Sequence, residues 1–297
     1  RRHGHEAHQG VTEHHVDIIS VNSTICSMAE RIASSVGGLS ITQYRILLRL
    51  YATRKPMKMT ELSKHLALSQ SAATAAVDKL EQREAALRTA SKQDRRIVRV
   101  QLAPKGISLI KEIDMALAEP IARGWSLLDD EQRKVMAARC IEVTSHHGLT
   151  RSDNDRIRLD TAFLDTALLL HAQMVKAARI FNLSVNDYRV LYQLSTMSEG
   201  ARSSQLARQL LMRLTEVTVA ANKLADKHLI KRNDDPVDRR ASPLEITNEG
   251  FALIREAAPV MADYILNTHP AETEVIDVHD AISHIWAENQ RGRWNAV

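Results

Sequence analysis

Apolar residues recur at intervals of three and four along most of the chain, which is the spacing of helices with one buried face. A first helix is predicted over residues 16–36. Two short helices follow between residues 60 and 82, and Ser69 can cap the second by accepting a backbone N–H. Two strand-like runs, at residues 87–88 and 97–100, then flank a basic turn. This order predicts a pair of helices followed by a β-hairpin.

The turn of this hairpin ends in Asp94-Arg95-Arg96, so that arginines lie at its tip. A helix pair followed by such a hairpin is typical of a winged helix-turn-helix. The second helix of that motif enters the major groove of DNA, and the wing reaches phosphates or the minor groove. The DNA contacts predicted in this segment are Ser69, Gln70, Ser71, Thr74, Arg88, Asp94, Arg95 and Arg96. The alternative for each of these side chains is an ordinary solvated surface.

The same pattern occurs a second time at a constant offset of 144 residues (238 − 94 = 144), where Asp238-Arg239-Arg240 matches Asp94-Arg95-Arg96. The register holds without a gap over residues 40–110 and 184–254, which chance does not produce. We therefore predict two copies of one domain. The DNA contacts predicted in the second copy are Arg213, Leu214, Thr215, Thr218, Asn222, Arg232, Asp238, Arg239 and Arg240.

The repeat divides the chain into two units, and the predicted fold class is mainly α with small β-wings. Each unit is a winged helix between flanking helices. The first unit is predicted at residues 1–148, with its winged helix at 40–103 and its flanking helices at 11–37 and 106–147. The second unit is predicted at 149–297, with its winged helix at 184–247 and its flanking helices at 157–181 and 248–289. The polar stretch 149–157 is the predicted linker.

The composition agrees with two globular domains and argues against several other classes of protein. A length of 297 residues accommodates about two domains, and no apolar run approaches the ~20 residues of a membrane span. Two cysteines do not form a disulfide framework, so a reducing cytoplasm is expected. No nucleophile–base set, phosphate-binding loop or metal-ligand spacing is evident, so we expect neither an enzyme nor a cofactor. The histidines in residues 1–15 are better explained as a terminal segment than as a metal site.

The charge is distributed unevenly between the two copies. The whole chain has a net charge of +4. Residues 60–105 contain nine Lys or Arg and five Asp or Glu, whereas residues 204–249 contain eight and seven. Because lysine and arginine bind the phosphates of DNA, we expect the first copy to bind phosphate more strongly.

The two copies of the helix and hairpin pattern resemble the MarR family of bacterial transcription regulators. The resemblance rests on the order of elements, on the two Asp-Arg-Arg turns and on the strand-then-glycine exits VQLAPKG and LEITNEG. It covers nearly the whole chain as two family units end to end. Family members are homodimers with interleaved terminal helices, so the resemblance implies a single-chain pseudo-dimer. Members often have glycine after the recognition helix, where this chain has Glu84 and His228, so the entry to the wing is expected to differ.

The resemblance also implies two kinds of effector site. A pocket for an aromatic or phenolic effector would involve Tyr44, Arg45, Tyr51, Tyr188 and Arg189, although Tyr44 and Tyr188 could simply pack the domain. Some relatives sense oxidants through cysteine, which would give Cys26 and Cys140 a redox role. A small buried apolar residue is the favoured interpretation of both cysteines.

The leading functional hypothesis is a sequence-specific regulator of double-stranded DNA, acting as a repressor that a small molecule releases. Unlike recognition helices predict an asymmetric, imperfectly palindromic operator bound by one chain. On the second helix, Leu214 and Val219 could contact thymine methyl groups or be partly buried. The first alternative is a protein-interaction or adaptor module in which one lobe has lost its DNA contact. The second alternative is a regulator that senses redox state through cysteine.

Overall fold

A computed structural model describes residues 15–90, 97–148, 159–233, 243–268, 283–284 and 286–292. Both Asp-Arg-Arg turns and the predicted linker lie outside these residues, and so do the histidines before residue 15. The described part of the chain is mainly helical, and none of its helices is long and apolar enough to cross a membrane.

The helices follow the order that the repeat predicts. Those of the first copy are α1 (His15–Gly37), α2 (Ile41–Thr53), α3 (Met59–His65), α4 (Gln70–Gln82), α5 (Pro104–Trp125) and α6 (Asp130–His146). Those of the second copy are α7 (Leu159–Ile180), α8 (Val185–Ser195), α9 (Ser203–Gln209), α10 (Leu214–Asp226) and α11 (Asn248–Leu266). Residues 286–292 are also helical.

Strands form both wings, as the sequence predicts, and the first copy has one further short strand, β1 (Met57–Lys58), that the sequence does not predict. In the first copy, β1, β2 (Ala86–Ala90) and β3 (Val98–Leu102) form a three-stranded antiparallel sheet in the order β1-β3-β2. In the second copy, β4 (Ile230–Arg232) pairs with β5 (Leu244–Ile246). The predicted fold class, with two winged helix-turn-helix lobes, is confirmed. Residues 41–102 are called the first lobe below, and residues 185–246 the second lobe.

The chain folds as two compact units that do not coincide with the two halves of the repeat. The first-lobe unit comprises Ile25–Ala172, and the second-lobe unit comprises Arg1–Thr24 together with Gln173–Val297. The beginning of α1 therefore belongs to the second-lobe unit, and the beginning of α7 belongs to the first-lobe unit. The predicted sequence boundary at 148/149 borders residues outside the description and stays a prediction.

The first lobe is built around α2, which packs against α4 and α5. Ser40 begins α2 with a capping box, because its hydroxyl accepts from the Gln43 N–H and the Gln43 side chain accepts from the Ser40 N–H. Leu62 and Leu80 are fully buried in this core. Such caps satisfy donors at helix ends that would otherwise lack partners.

The second lobe repeats this construction position by position. Ser184 begins α8 with a capping box to Asp187, and α8 packs against α10 and α11. Leu206 and Leu224 are fully buried, as are their counterparts in the first lobe.

The backbone also repeats its uncommon conformations. Residues after the two recognition helices have positive φ, 59° at Glu84 and 58° at His228. Ala67 and Leu211, which follow the first helix of each helix-turn-helix, also have positive φ, 53° and 54°. The expectation that the wing entry would differ without glycine was wrong, because both non-glycine residues adopt the left-handed conformation that glycine usually supplies.

Candidate nucleic-acid interface

The first recognition helix, α4, exposes the polar residues that the sequence predicts. The Ser69 hydroxyl accepts from the Ala72 N–H at 3.2 Å and lies 3.1 Å from the Ser71 hydroxyl, so it fixes the start of the helix. Gln70, Ser71 and Thr74 are all exposed. The opposite face, with Ala73, Val77 and Leu80, is fully buried. The buried face therefore packs α4 onto the first lobe, and the opposite face presents short polar side chains to solvent.

The second recognition helix, α10, begins with a different cap. The Arg213 backbone N–H donates to a Glu216 carboxylate oxygen at 2.8 Å, and the Arg213 guanidinium lies 3.2 Å from the other oxygen. Partial burial of Glu216 acts to raise its pKa, but the hydrogen bonds from Arg213 outweigh burial and lower the pKa. This pair neutralises charge at the start of the helix.

The exposed face of α10 is more apolar than that of α4. Its exposed residues include Leu214, Thr215, Thr218, Val219 and Asn222. At the repeat offset, Leu214 replaces Gln70 and Val219 replaces Ala75. Thr218 matches Thr74, and its hydroxyl already donates to the Leu214 carbonyl at 2.9 Å. The two recognition helices thus occupy equivalent places with different chemistry.

Arg88, at the start of the first wing, is held by two acids of its own lobe. Its guanidinium contacts Asp78 at 2.6 Å and Glu81 at 2.5 Å, and its backbone N–H donates to Glu81 at 2.8 Å. Slight desolvation acts to lower the pKa of Arg88, but the hydrogen bond to Asp78 and the Glu81 charge raise it. The charge of Arg88 is therefore neutralised within the lobe, although the sequence alone predicts a DNA contact.

Arg232 occupies the equivalent place in the second wing with a neutral partner. Its guanidinium donates to the Asn222 amide oxygen at 2.5 Å. Asn222 stands where the first lobe has Asp78, and Ala225 stands where it has Glu81. Of the described residues, none places a carboxylate within 4.0 Å of Arg232. Among the described residues, the charge of Arg232 is therefore not neutralised by an ion pair, unlike that of Arg88.

The tips of both wings lie outside the described residues. The predicted contacts there are Asp94, Arg95, Arg96, Asp238, Arg239 and Arg240. In the first wing, Ala90 pairs with Val98, which places these strand ends on either side of residues 91–97. Both hairpins are antiparallel, as predicted.

Four of the five residues predicted to line an effector pocket are buried, namely Tyr44, Arg45, Tyr188 and Arg189. Tyr51 is partly exposed. The two arginines make equivalent contacts at the repeat offset. Arg45 donates to the Leu66 carbonyl at 2.8 Å, and Arg189 donates to the Leu210 carbonyl. Arg45 therefore connects α2 to the end of α3, and Arg189 connects α8 to the end of α9. Sequence reasoning missed this structural role.

The surroundings of these two arginines nevertheless differ. Arg189 also donates to the Asn186 side chain at 2.8 Å and to the Ser20 hydroxyl at 3.3 Å. In the described part of the chain, the Nε of Arg45 has no hydrogen-bond partner. Burial lowers the pKa of both groups, to about 10 for Arg189.

Cys26 and Cys140 are both buried and form no disulfide. Burial raises the pKa of each thiol to about 12. Because the thiolate is the form that reacts with oxidants, this environment favours the interpretation of both as apolar core residues.

Comparison with known proteins agrees with the fold and with the repeat. Two models described as "MarR family" match residues 39–98 and 181–241. The HTH-type transcriptional regulator MhqR of Bacillus subtilis (strain 168) is 32% identical over 112 residues, which cover 38% of this chain and 74% of that protein. The uncharacterized HTH-type transcriptional regulator YhbI of the same organism is 28% identical over 114 residues, covering 37% and 73%.

One solved structure is similar to part of this chain. The transcriptional regulator BldR from Sulfolobus solfataricus is 30% identical with a TM-score of 0.33, and the match covers 35% of this chain and 74% of that one. The family models match both lobes, and MhqR is matched over most of its own length. The chain therefore belongs to the MarR family, whose members are DNA-binding transcriptional regulators rather than enzymes, and it carries two family units in tandem.

Proposed function

We propose that this chain is a sequence-specific regulator of double-stranded DNA in which a single polypeptide supplies both recognition helices. The observation that carries the proposal is the exchange of helix segments between the two copies. Each compact unit combines one lobe with the beginning of the other copy's first helix. Such an exchange is what two dimerised family units would show after fusion into one chain.

Specific contacts within the units support this exchange. In the second-lobe unit, His15 of α1 lies 2.7 Å from the Tyr188 hydroxyl, and Ser20 accepts from Arg189. In the first-lobe unit, Asp165 of α7 pairs with Arg49 at 2.8 Å. In a dimer of separate subunits, these would be contacts between chains. Here one chain makes them, so a monomer has the contacts that normally require a partner.

The operator is proposed to be asymmetric and imperfectly palindromic. A homodimer presents two identical helices and favours a palindrome. This chain presents Gln70 on one helix where the other has Leu214, so its two half-sites should differ. Their centres are expected about one helical turn apart, ~34 Å.

The regulator is proposed to be a repressor that an aromatic or phenolic effector releases. Arg45 supports this part of the proposal, because it is a buried guanidinium whose Nε lacks a hydrogen-bond partner among the described residues, although the negative charge of Asp165 already acts on it. A buried cation is stabilised by an anionic partner, which a phenolate or a carboxylate could supply. Effector and DNA must then weaken each other's binding equally, typically by ~1–3 kcal/mol.

One experiment tests the stoichiometry and the two-lobe contact together. A duplex is selected from a random library with the purified chain, and the complex is then analysed by native mass spectrometry and hydroxyl-radical footprinting. We expect one chain for each duplex and two protected half-sites. Two chains for each duplex would contradict the pseudo-dimer, and protection of one half-site would instead favour the adaptor alternative.

The wings and the effector require separate tests. Arg96→Ala and Arg240→Ala should each weaken binding and flatten its dependence on salt, because each removes a phosphate contact. Unchanged binding by the double variant would contradict the wing assignment. A panel of phenols and aromatic carboxylates should release the wild-type protein from DNA, and Arg45→Gln should need a higher effector concentration. Release that is equally sensitive in Arg45→Gln would remove Arg45 from the effector site.

A further inference from the structure

The recognition helix of the second lobe carries two large apolar side chains that its helical neighbours leave exposed. Leu214 and Val219 are each 53% exposed. The equivalent positions of the first lobe hold Gln70 and Ala75, which are also exposed. Since the two recognition helices bury equivalent positions, this difference on their exposed faces is not required by the fold. It changes the chemistry of the surface that faces outward.

The two side chains belong to one continuous face of α10. Together with Thr215, Thr218 and Asn222, they follow the i, i+1, i+4, i+5, i+8 spacing of a single helix side. A separation of five residues corresponds to ~7.5 Å along the helix axis, which is about two base-pair steps of ~3.4 Å. The Thr218 hydroxyl donates to the Leu214 carbonyl, so its hydrogen is not available to a base.

The size and the charge of this face fit DNA better than a protein partner. Protein interfaces are built around a buried apolar core with aromatic or arginine anchors. On α10, the exposed large apolar residues are Leu214 and Val219 alone, and no aromatic residue accompanies them. Exposed Lys223 lies on the same helix, and Arg232 is bonded to Asn222 of this face. A small apolar area with adjacent cations matches a base edge between phosphates.

We propose that the second lobe recognises thymine methyl groups through Leu214 and Val219, whereas the first lobe recognises a base edge through the Gln70 amide. The C5-methyl of thymine is the apolar group that the major groove displays, and glutamine pairs with adenine through two hydrogen bonds. This inference rests on the proposed DNA-binding function. It assigns a different base preference to each half-site.

The proposal predicts a loss of affinity when the methyl groups alone are removed. Burying one methyl group contributes about as much as burying one CH₂, a factor of about four in affinity. In the selected duplex, deoxyuridine replaces thymidine in one half-site at a time. This change deletes the methyl group and retains every Watson–Crick hydrogen bond. Substitution in the second lobe's half-site should weaken wild-type binding about fourfold for each contacted thymine, and substitution in the other half-site should weaken it less.

A reciprocal exchange of side chains provides the matched control. Leu214→Gln with Val219→Ala gives the second lobe the residues of the first, and Gln70→Leu with Ala75→Val does the reverse. All four positions are exposed, and circular dichroism checks that each variant keeps its fold. The first variant should lose its sensitivity to deoxyuridine in the second half-site, and the second variant should become sensitive in the first half-site.

The outcomes of these experiments distinguish a failure of this inference from a failure of the proposed DNA-binding function. If the wild-type chain enriches no sequence from the library, the proposed function itself fails. If it enriches an operator whose binding deoxyuridine leaves unchanged in both half-sites, DNA recognition stands and the methyl-contact proposal is overturned. Sensitivity that persists in Leu214→Gln with Val219→Ala would equally overturn the assignment to these two residues.

Discussion

Arg49 and Asp165 form an ion pair that is almost completely removed from solvent, with 2.8 Å between Nη2 and Oδ2. Their side chains are only 1% and 4% exposed. Arg49 also donates to the His147 carbonyl at 2.8 Å, so the guanidinium has a second fixed partner. Arg49 comes from α2 of the first copy and Asp165 from α7 of the second. One electrostatic contact therefore connects the two copies inside the first-lobe unit.

Removing one member of this pair should destabilise the protein strongly. Asp165→Leu leaves a buried guanidinium without its anion, which costs about 3–5 kcal/mol. Combining it with Arg49→Met should recover much of this loss, because neither charge then remains. Urea denaturation monitored by circular dichroism gives the free energies. Glu119→Gln in the exposed pair with Arg123 (3.3 Å) is the control and should cost below about 1 kcal/mol. Equal losses at both pairs would show that Asp165 is not a structural anchor.

The buried imidazole of His15 should make stability depend on pH. Burial lowers the pKa of His15 to about 4, whereas an unfolded histidine titrates near 6.5. The unfolded state therefore binds more protons between these values, and the stability present above pH 6.5 falls as the pH drops to 4, by about 3 kcal/mol. His15→Gln keeps a polar partner for Tyr188 and should flatten this part of the unfolding free-energy profile. His146→Gln, at an exposed position, is the control; identical profiles for wild type and His15→Gln would contradict this.

The lobes could be predicted from sequence because their determinants are local. Ser69 caps α4 as predicted, since a hydroxyl before an apolar stripe serves a helix a few residues away. The constant offset then located the helices and the wing strands of the second lobe. Tertiary partners could not be predicted in this way. Arg49 and Asp165 are 116 residues apart, and no spacing rule relates them.

The role of Arg88 shows the same limit for the interface. Counting charges treats each arginine as available to phosphate, and on that basis the first lobe was predicted to bind more strongly. The hairpin folds Arg88 back onto Asp78 and Glu81, which face it from the recognition helix. In hindsight, the substitution of these acids by Asn222 and Ala225 at the repeat offset was a usable signal.

Two glycines should resist substitution because a backbone carbonyl lies against them. A Cβ at Gly106 would be 2.2 Å from the Ala85 oxygen, and one at Gly250 would be 2.1 Å from the Leu229 oxygen. Gly106→Ala and Gly250→Ala should each destabilise by about 1–3 kcal/mol despite alanine's better helix propensity. Thermal unfolding measures the loss. Gly292→Ala, with nothing within 4 Å of its Cβ, should show no such loss; a similar loss there would refute the packing argument.

Glycine should be favourable after the recognition helices, in contrast. Glu84 and His228 have φ near +58°, a conformation that costs a side chain roughly 1–2 kcal/mol. Glu84→Gly and His228→Gly should stabilise the protein by up to about 1 kcal/mol, since relief of strain exceeds the entropy that glycine adds. Lys79→Gly, within the regular helix α4, should destabilise by about 1 kcal/mol instead. Denaturation midpoints that fall in all three variants would exclude strain at the wing entry.

The neutral partner of Arg232 leads to a prediction about salt dependence. Each phosphate contact contributes about 0.9 to the slope of log K against log salt concentration. Arg232→Ala should therefore lower the slope by about one, whereas Arg88→Ala should reduce stability and leave the slope unchanged, because Asp78 and Glu81 already neutralise Arg88. Asp78→Asn with Glu81→Ala gives the first lobe the second lobe's residues and should raise the slope by about one. Fluorescence anisotropy at several salt concentrations measures the slopes; equal slopes for the Arg88 and Arg232 variants would show that intramolecular pairing does not decide which arginine reaches phosphate.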